Sequence, residues 1–467
     1  MNDEIRMSND ELPDGWLRVP FSAVTVNPVQ RVPIEKEQIT YIDIGSVDRL
    51  TKKVVEPQTM LGKDAPSRAR KVIQAGDVLV STVRPNLNAV ALVESQYNGQ
   101  FASTGFDVLR SPVVDPRWLF YSVRTPEFLD RMSELVQGAL YPAVRSFDIR
   151  SFVIPIAPLA EQKRIADKLE AVLGRVDACR ARLDRVPALL KRFRQSVLAS
   201  ATSGGLTEEW RMTNGVNDEW KNEFDNCNAP EDSLELPDSW KWVAVGNLAT
   251  KVTDGVHKKP NYVDQGVPFL TVKSLTAGKG ISFEVNNFIS EKDHEEFIKR
   301  TPPSKGDLLV TKDGTLGVVR LIDTDRVFSI FVSLALIKPK DRRMSQYLLY
   351  ALQSPVVQKQ MVGVGSGLQH IHLRDLRADL IPLPPLPEQQ EIVRRVEALF
   401  AFADRIEARL ATAQKTVERL TPSVLAKAFR GELVSQDPND EPASTLLKQL
   451  IKQPVAKPAR KTRKPRK

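Results

Sequence analysis

Two stretches of the chain carry the same heptad pattern at a constant separation, and no other feature limits the fold as much. Ile165, Leu169, Val172, Val176, Cys179, Leu183, Val186, Leu190, Phe193 and Val197 are spaced by alternating gaps of four and three. Ile392, Val396, Leu399, Ala403, Ile406, Leu410, Ala413, Val417, Leu420 and Val424 take the same ten places 227 residues later. Such gaps keep apolar side chains on one stripe of a helix, the a/d seam of a coiled coil. One inserted residue would rotate the stripe by about 100° and ruin its packing. That accounts for the gapless match of 154–206 with 381–433, in which 21 of 53 positions are identical. Ordinary helices run about 11–12 residues and these patterns about 40. Two such seams are expected to pair with each other rather than to be unrelated amphipathic helices. Cys179 falls in the seam, which predicts a buried, inert thiol. Pro187 interrupts the first seam where the second has Gln414, which predicts a break near Leu183–Pro187.

The repetition extends forward from the seams. Leu12–Trp16 (LPDGW) recurs as Leu236–Trp240 (LPDSW), Tyr41–Ser46 as Phe269–Ser274, and the Gly-Asp turn at 76–77 as 306–307. Trp118–Tyr121 with Thr125-Pro126 recurs as Tyr347–Tyr350 with Ser354-Pro355. Offsets here wander between 224 and 230, and become constant only from Gly138 and Gly365 onward. Each repeat is thus a variable-length front joined to a rigidly phased back. Matching phrases, Ile154–Gln162 and Ile381–Gln389, introduce the helices with prolines that hold the chain extended. Gly204-Gly-Leu206 and Gly431-Glu-Leu433 end them. The fronts read as mixed α/β, with strands at Asp77–Val83, Asn88–Val93 and Asp307–Thr311 and helices at Pro116–Val136 and Ser345–Met361.

Composition narrows the function class. The 467 residues include only Cys179 and Cys227, which excludes a disulfide framework and points to a reducing, cytoplasmic compartment. No apolar run approaches the roughly 20 residues of a membrane span. The net charge of +9 equals the nine basic residues between Lys448 and Lys467. The linker 207–235 is net −7 and residues 1–11 are net −3, leaving about +10 on the remainder of the first 447 positions. That surplus is compatible with a polyanionic partner. The linker is expected to be partly disordered, with Trp210 and Trp220 docking locally.

Catalytic signatures are missing. There is no G-x-x-x-x-G-K-[ST] loop. Gly363–Gly367 has leucine at 368 where a dinucleotide fingerprint needs its third glycine, and reads as a turn. The chain lacks the Asn-Pro-Pro-aromatic motif of adenine methyltransferases. His370 and His372 have no third ligand nearby, so no zinc set is expected. These absences favour a binding protein over an enzyme.

The order and duplication of these phrases resemble the specificity subunit of type I restriction–modification systems. The resemblance rests on Ile154–Ile165 and Ile381–Ile392, the Ala199–Leu206 and Ala426–Leu433 stops, Leu12–Trp16, Leu236–Trp240 and both Gly-Asp turns. Asp254–Pro260 (DGVHKKP) with Gly266–Phe269 also looks like a family phrase; the first repeat has Thr25–Arg31 there instead. The resemblance implies an α+β fold, with two homologous mixed α/β target-recognition domains separated by two long antiparallel coiled-coil helices in an internal pseudo-twofold repeat. The expected division is an N-terminal extension 1–11, recognition domains 12–155 and 236–382, spacer helices 156–206 and 383–434, the acidic linker 207–235 and a basic disordered tail 435–467. It implies no catalysis and no cofactor on this chain, with S-adenosylmethionine, ATP and magnesium on partner subunits. The implied partners are double-stranded DNA with a bipartite target, two methyltransferase subunits and restriction subunits. DNA-contact candidates are loop residues beside the repeated strands: Arg84, Asn86, His257, Lys258, Lys259, Lys273 and Lys312. Arginine and asparagine can read base edges, whereas lysines more often hold phosphates. Two other readings stay open: a coiled-coil protein-interaction adaptor, and a fused DNA-modifying enzyme, which the missing motifs oppose.

Overall fold

The structure, a computed structural model, describes residues 12–137, 140–214, 224–230, 235–258, 260–284, 286–365 and 369–452. The expectations for 1–11, Trp220, Lys259 and 453–467 lie outside the described residues. Contacts divide the chain into two units, Met1–Leu183 with Thr412–Lys467, and Asp184–Ala411.

In the first unit, β1 (Leu17–Pro20) pairs antiparallel with β9 (Val153–Ile156), Leu17 facing Ile156. One sheet has the order β3 (Gln58–Leu61), β2 (Gln38–Ile42), β7 (Phe101–Ser103), β4 (Ala69–Val72). A second has the order β6 (Val90–Leu92), β5 (Val78–Ser81), β8 (Phe106–Leu109). The second unit repeats the plan. There β10 (Lys241–Ala244) pairs with β18 (Leu380–Leu383), and β13 (Phe288–Ile289), β12 (Val267–Leu270) and β16 (Ser329–Ile330) form one sheet. The other runs β11 (Ala249–Asp254), β17 (Leu334–Pro339), β14 (Leu308–Thr311), β15 (Val319–Leu321).

The strand after each Gly-Asp turn is the hub of its unit. Val78 and Val80 enter one core and Leu79 another; Leu308, Val310 and Leu309 do the same. Alternate side chains leave opposite faces of a strand, so a strand buried on both faces must be apolar throughout. The turns that feed these strands are built alike. Gly76 and Gly306 sit at φ +87° and +86°, where a side chain would be strained. Asp77 takes Arg110 at 2.6 Å, and Asp307 is paired by Lys338 and by Arg342 at 2.6 Å.

Two expected helices are divided. Pro116–Val136 becomes Pro116–Ser122 and Pro126–Glu134, and Ser345–Met361 becomes Ser345–Gln353 and Pro355–Gln358. Pro126 and Pro355 lack the N–H that a continuing helix needs and instead start a new one, with the Thr125 hydroxyl accepting from Phe128 N at 3.3 Å.

The first long helix, Leu159–Leu183, stops and resumes as Val186–Ser203 with Pro187 in its first turn, as the sequence predicted. The second runs unbroken from Leu386 to Phe429. Each is shared between units, which the linear division into domains did not foresee. The core of the first unit holds Ile165, Leu169 and Leu173 together with Leu425, Ala428 and Phe429. That of the second holds Val197, Leu198 and Ala201 together with Ile392 and Val396. In the second unit the helices run antiparallel: Arg194 meets Asp404 at 2.5 Å, while Arg395 donates to Leu206 O at 2.8 Å.

Of the seam, Ile165, Leu169, Val176, Leu190, Ile392, Val396 and Leu410 are buried, and Val172, Leu183, Leu399, Ile406 and Val417 are half-buried. Cys179 is exposed, correcting the expected buried thiol. Leu173, outside the strict seam, is buried instead beside β-strand residues of its unit. A helix of 3.6 residues per turn drifts from a 3.5-residue stripe, and Leu173 packs into the recognition core.

The joints before the helices are duplicated in detail. Trp16 Nε1 donates to Glu161 Oε2 and Trp240 Nε1 to Glu388 Oε2, both at 2.9 Å. Gln162 and Gln389 each donate to a carbonyl five residues earlier, Ala157 O at 2.7 Å and Pro384 O at 2.8 Å. The helix stops close the pattern. A Cβ on Gly204 would lie 2.4 Å from Pro237 Cγ, and one on Gly431 2.3 Å from Pro13 Cγ. The end of the second repeat thus meets the start of the first as the end of the first meets the start of the second.

Part of the expected disordered tail is folded. Asp440 pairs with Arg164 at 2.6 Å, Gln436 donates to Glu161 Oε1 at 2.7 Å, and Ala443 N donates to Gly15 O at 2.9 Å. Ala443 and Leu446 are buried and Ser444–Lys452 is helical. Counting basic residues hid the apolar ones that anchor this segment. The acidic linker likewise begins as an ordered helix, Glu208–Asn214, held by Thr207 and Arg211 on Glu388.

Candidate nucleic-acid interface

In the second unit, β11 ends at Asp254 and the chain turns through Gly255 against β16. A Cβ on Gly255 would lie 2.1 Å from Ile330 O, so only glycine allows Val256 N to reach that carbonyl at 3.1 Å. The buried Asp254 carboxylate then gathers basic side chains. His257 Nε2 lies 3.2 Å from both its oxygens, Arg300 Nη2 2.9 Å from Oδ1 and Lys312 Nζ 3.6 Å from Oδ2. This corrects one expectation: Lys312 is 8% exposed and faces Asp254 rather than solvent. His257, Lys258 and Lys273 are exposed, Lys273 in the short helix Val272–Thr276. The Asp-Gly-x-His phrase therefore combines a buried anchor with an exposed basic rim.

The first unit has no such phrase. Pro28 cannot donate to a ladder, and Thr25–Arg31 is held by two bridges, Val26 with Arg110 just after β8 and Gln30 with Lys71 of β4. Its exposed polar groups come from the loop after β5. Arg84 and Asn88 both take left-handed conformations, at φ 49° and 45°, flanking the turn Pro85–Leu87. Such positions in non-glycine residues store strain that the surroundings must enforce. Arg84 N donates to Pro142 O at 2.8 Å and Val144 N to Thr82 O at 2.9 Å. Lys52 Nζ grips Asn88 O at 2.6 Å and Oδ1 at 2.9 Å, and Asn88 donates to Val123 O at 2.9 Å. Burial, with Arg124 nearby and Asp48 opposing, pushes the Lys52 ammonium down to about 8. Arg84 and Asn86 are thereby presented to solvent on a fixed turn.

Both units pin this loop to the same partner segment. Val83 bridges Ala143 in the first; Asp313 bridges His370 in the second, where Ile371 N also donates to Lys312 O at 2.8 Å. Sequence reasoning missed what these segments carry. Leu140 and Tyr141 are 88% and 87% exposed beside the Arg84 turn. His370 and His372, set aside as a metal site, stack edge to face at 4.4 Å beside the end of β14. The available signal was the offset, which becomes constant from Gly138 and Gly365, just where these segments begin.

Comparisons with known proteins agree in outline. The family described as Type I restriction modification DNA specificity domain matches residues 237–414. The chain is 31% identical over 452 residues to the specificity subunit of the type I restriction enzyme EcoKI of Escherichia coli K12, covering 92% of each. It is 34% identical over 325 residues to the EcoBI specificity subunit of Escherichia coli, covering 68% of this chain and 66% of that one. Among solved structures, it is similar to a chain from a study of complex assembly and conformational transition in a type I R-M system. That match has a TM-score of 0.73 and 28% identity, over 90% of this chain and 99% of the other. A crystal structure of the HsdS subunit from Thermoanaerobacter tengcongensis matches with a TM-score of 0.61 and 27% identity, over 90% and 98%.

Proposed function

The chain belongs to the specificity subunits of type I restriction–modification systems, non-catalytic members of their complexes, and we propose that each of its two units reads one half of a bipartite DNA target. The observation that carries this reading is the duplication: each unit fixes a loop after its hub strand against the segment before its joint, and each exposes polar or basic groups, the first on that loop and the second on the turn after β11 that Asp254 ties to Lys312. Arg84 and Asn86 read or position the first half-site, and His257, Lys258, Lys259 and Lys273 the second. Lys312 serves indirectly, by balancing Asp254. The long helices set the distance between half-sites; 44 residues at about 1.5 Å each extend about 66 Å, against about 34 Å for a DNA turn. In this reading the subunit works in the cytoplasm and docks two methyltransferase subunits, which bind S-adenosylmethionine, while restriction subunits supply ATP- and magnesium-dependent cleavage.

Methylome sequencing of cells expressing the chain with its cognate methyltransferase tests it. The expected motif has two short specific parts separated by unspecified bases. Arg84→Ala with Asn86→Ala should relax one part only, and His257→Ala with Lys258→Ala the other. A motif with one continuous part, or both parts altered by one pair of substitutions, would overturn the assignment.

A further inference from the structure

We propose that Lys279 is a positioning residue that braces the second recognition domain against the long helices and so sharpens the spacing at which the two half-sites are read. The proposal rests on the bipartite reading above. Lys279 lies in a short loop after the helix Val272–Thr276, the helix that carries Lys273. Arg320 of β15 holds that loop from inside, donating to Gly280 O at 3.2 Å and Gly278 O at 2.5 Å. Because the backbone is already fixed, engaging the lysine costs only its side-chain freedom. Its Nζ meets Asp404 Oδ1 at 2.7 Å and Glu407 Oε2 at 2.9 Å on the second long helix. Arg194, on the continuation of the first, meets the same two oxygens at 2.5 and 3.1 Å. Two cations and two carboxylates thus tie a recognition loop to both helices, and both carboxylates are held below their usual range by Lys279 and Arg194.

The place of this contact gives it a use. The recognition domain already grips the helix from Glu388, through Trp240, to Ile392, Val396 and Phe400, against which Tyr350 packs edge-on at 5.7 Å. Sixteen residues separate Glu388 from Asp404, about 24 Å along a helix. A charged grip beyond that apolar seat limits residual rocking of the domain about its root. A rotation of about 8° about the first grip displaces a point 24 Å away by about 3.4 Å, one base-pair rise. Exposed ion pairs of this kind contribute little to stability and are screened by salt, so the effect falls on orientation rather than folding. The first unit has no counterpart at the aligned positions: Asp177 is paired with Arg180 of its own helix at 2.9 Å.

The test uses the full chain assembled with its methyltransferase subunits, on duplexes with the native spacer and with spacers one base pair shorter or longer. Wild type should prefer the native spacer. Lys279→Glu should lower that preference by about fivefold or more at low salt, with half-site bases and melting temperature unchanged, and Lys279→Gln should lower it less. Lys279→Arg should keep it, and Lys279→Glu with Glu407→Lys should restore it, which a merely structural role would not produce. A folded Lys279→Glu complex with undiminished preference would overturn the brace alone. A wild-type complex indifferent to spacer length would overturn the bipartite reading, and the brace with it.

Discussion

Glu388 accepts the indole N–H of Trp240 at 2.9 Å across 148 residues of chain, while its other oxygen takes Thr207 at 2.7 Å and Arg211. One fully buried carboxylate therefore joins the start of the second recognition domain, the root of the second helix and the segment that follows the first. Glu161 does the same in the first unit with Trp16 and Gln436.

Glu388→Ala leaves an indole N–H, a hydroxyl and a guanidinium without their acceptor. Losing a buried charged partner costs about 3–5 kcal/mol. Denaturant unfolding should show the second unit melting earlier and the first unit's transition unmoved.

Gly204→Ala and Gly431→Ala each force a side chain onto a left-handed backbone, φ 85° and 75°, and into a proline ring. Strain at such positions costs about 1–3 kcal/mol. Each substitution should destabilise the unit whose helix end it caps, and Gly204→Ala should leave the first unit's transition in place. Separate unfolding transitions, followed by hydrogen exchange, check this.

Asp379 carries a pH dependence of stability. Burial, with Asp375 nearby, pushes its carboxyl up to about 7 from the usual 3.8. A folded-state value above the unfolded one means the native protein binds the proton more tightly. The contribution of Asp379 to stability is therefore greatest below about 4 and falls as pH rises toward 7. Asp379→Asn should gain on wild type by on the order of 2–4 kcal/mol at pH 8 and be equal to it near pH 4. Equal melting temperatures at pH 8 would contradict the direction of the shift.

Lys258 and Lys312 should separate binding from folding. Lys258→Ala, at an exposed rim, should lower DNA affinity and reduce the salt dependence by about one phosphate contact, with unchanged melting. Lys312→Ala should instead cost about 1–3 kcal/mol of stability, because Asp254 stays buried with one fewer cation. Titrations at several salt concentrations and melting curves distinguish the two.

The sequence by itself determined the duplication, the phase of both seams and the break at Pro187, because helical periodicity and proline chemistry are local and survive without knowledge of what packs on them. It also determined the hub strands, whose uninterrupted apolar runs reflect burial on both faces. What only the tertiary structure decided was who faces whom. Cys179 obeys the heptad and is exposed, Lys312 follows a strand as a DNA contact would and is buried on Asp254, and residues 436–446 look like a charged tail and close the first unit. Arg84 and Asn88 give no sign in sequence of their left-handed backbones, which Lys52 and Pro142 enforce from distant positions. Periodicity fixes which face of an element is apolar; the fate of a single charge depends on the counter-charge that folding brings to it, and that partner lies tens of residues away.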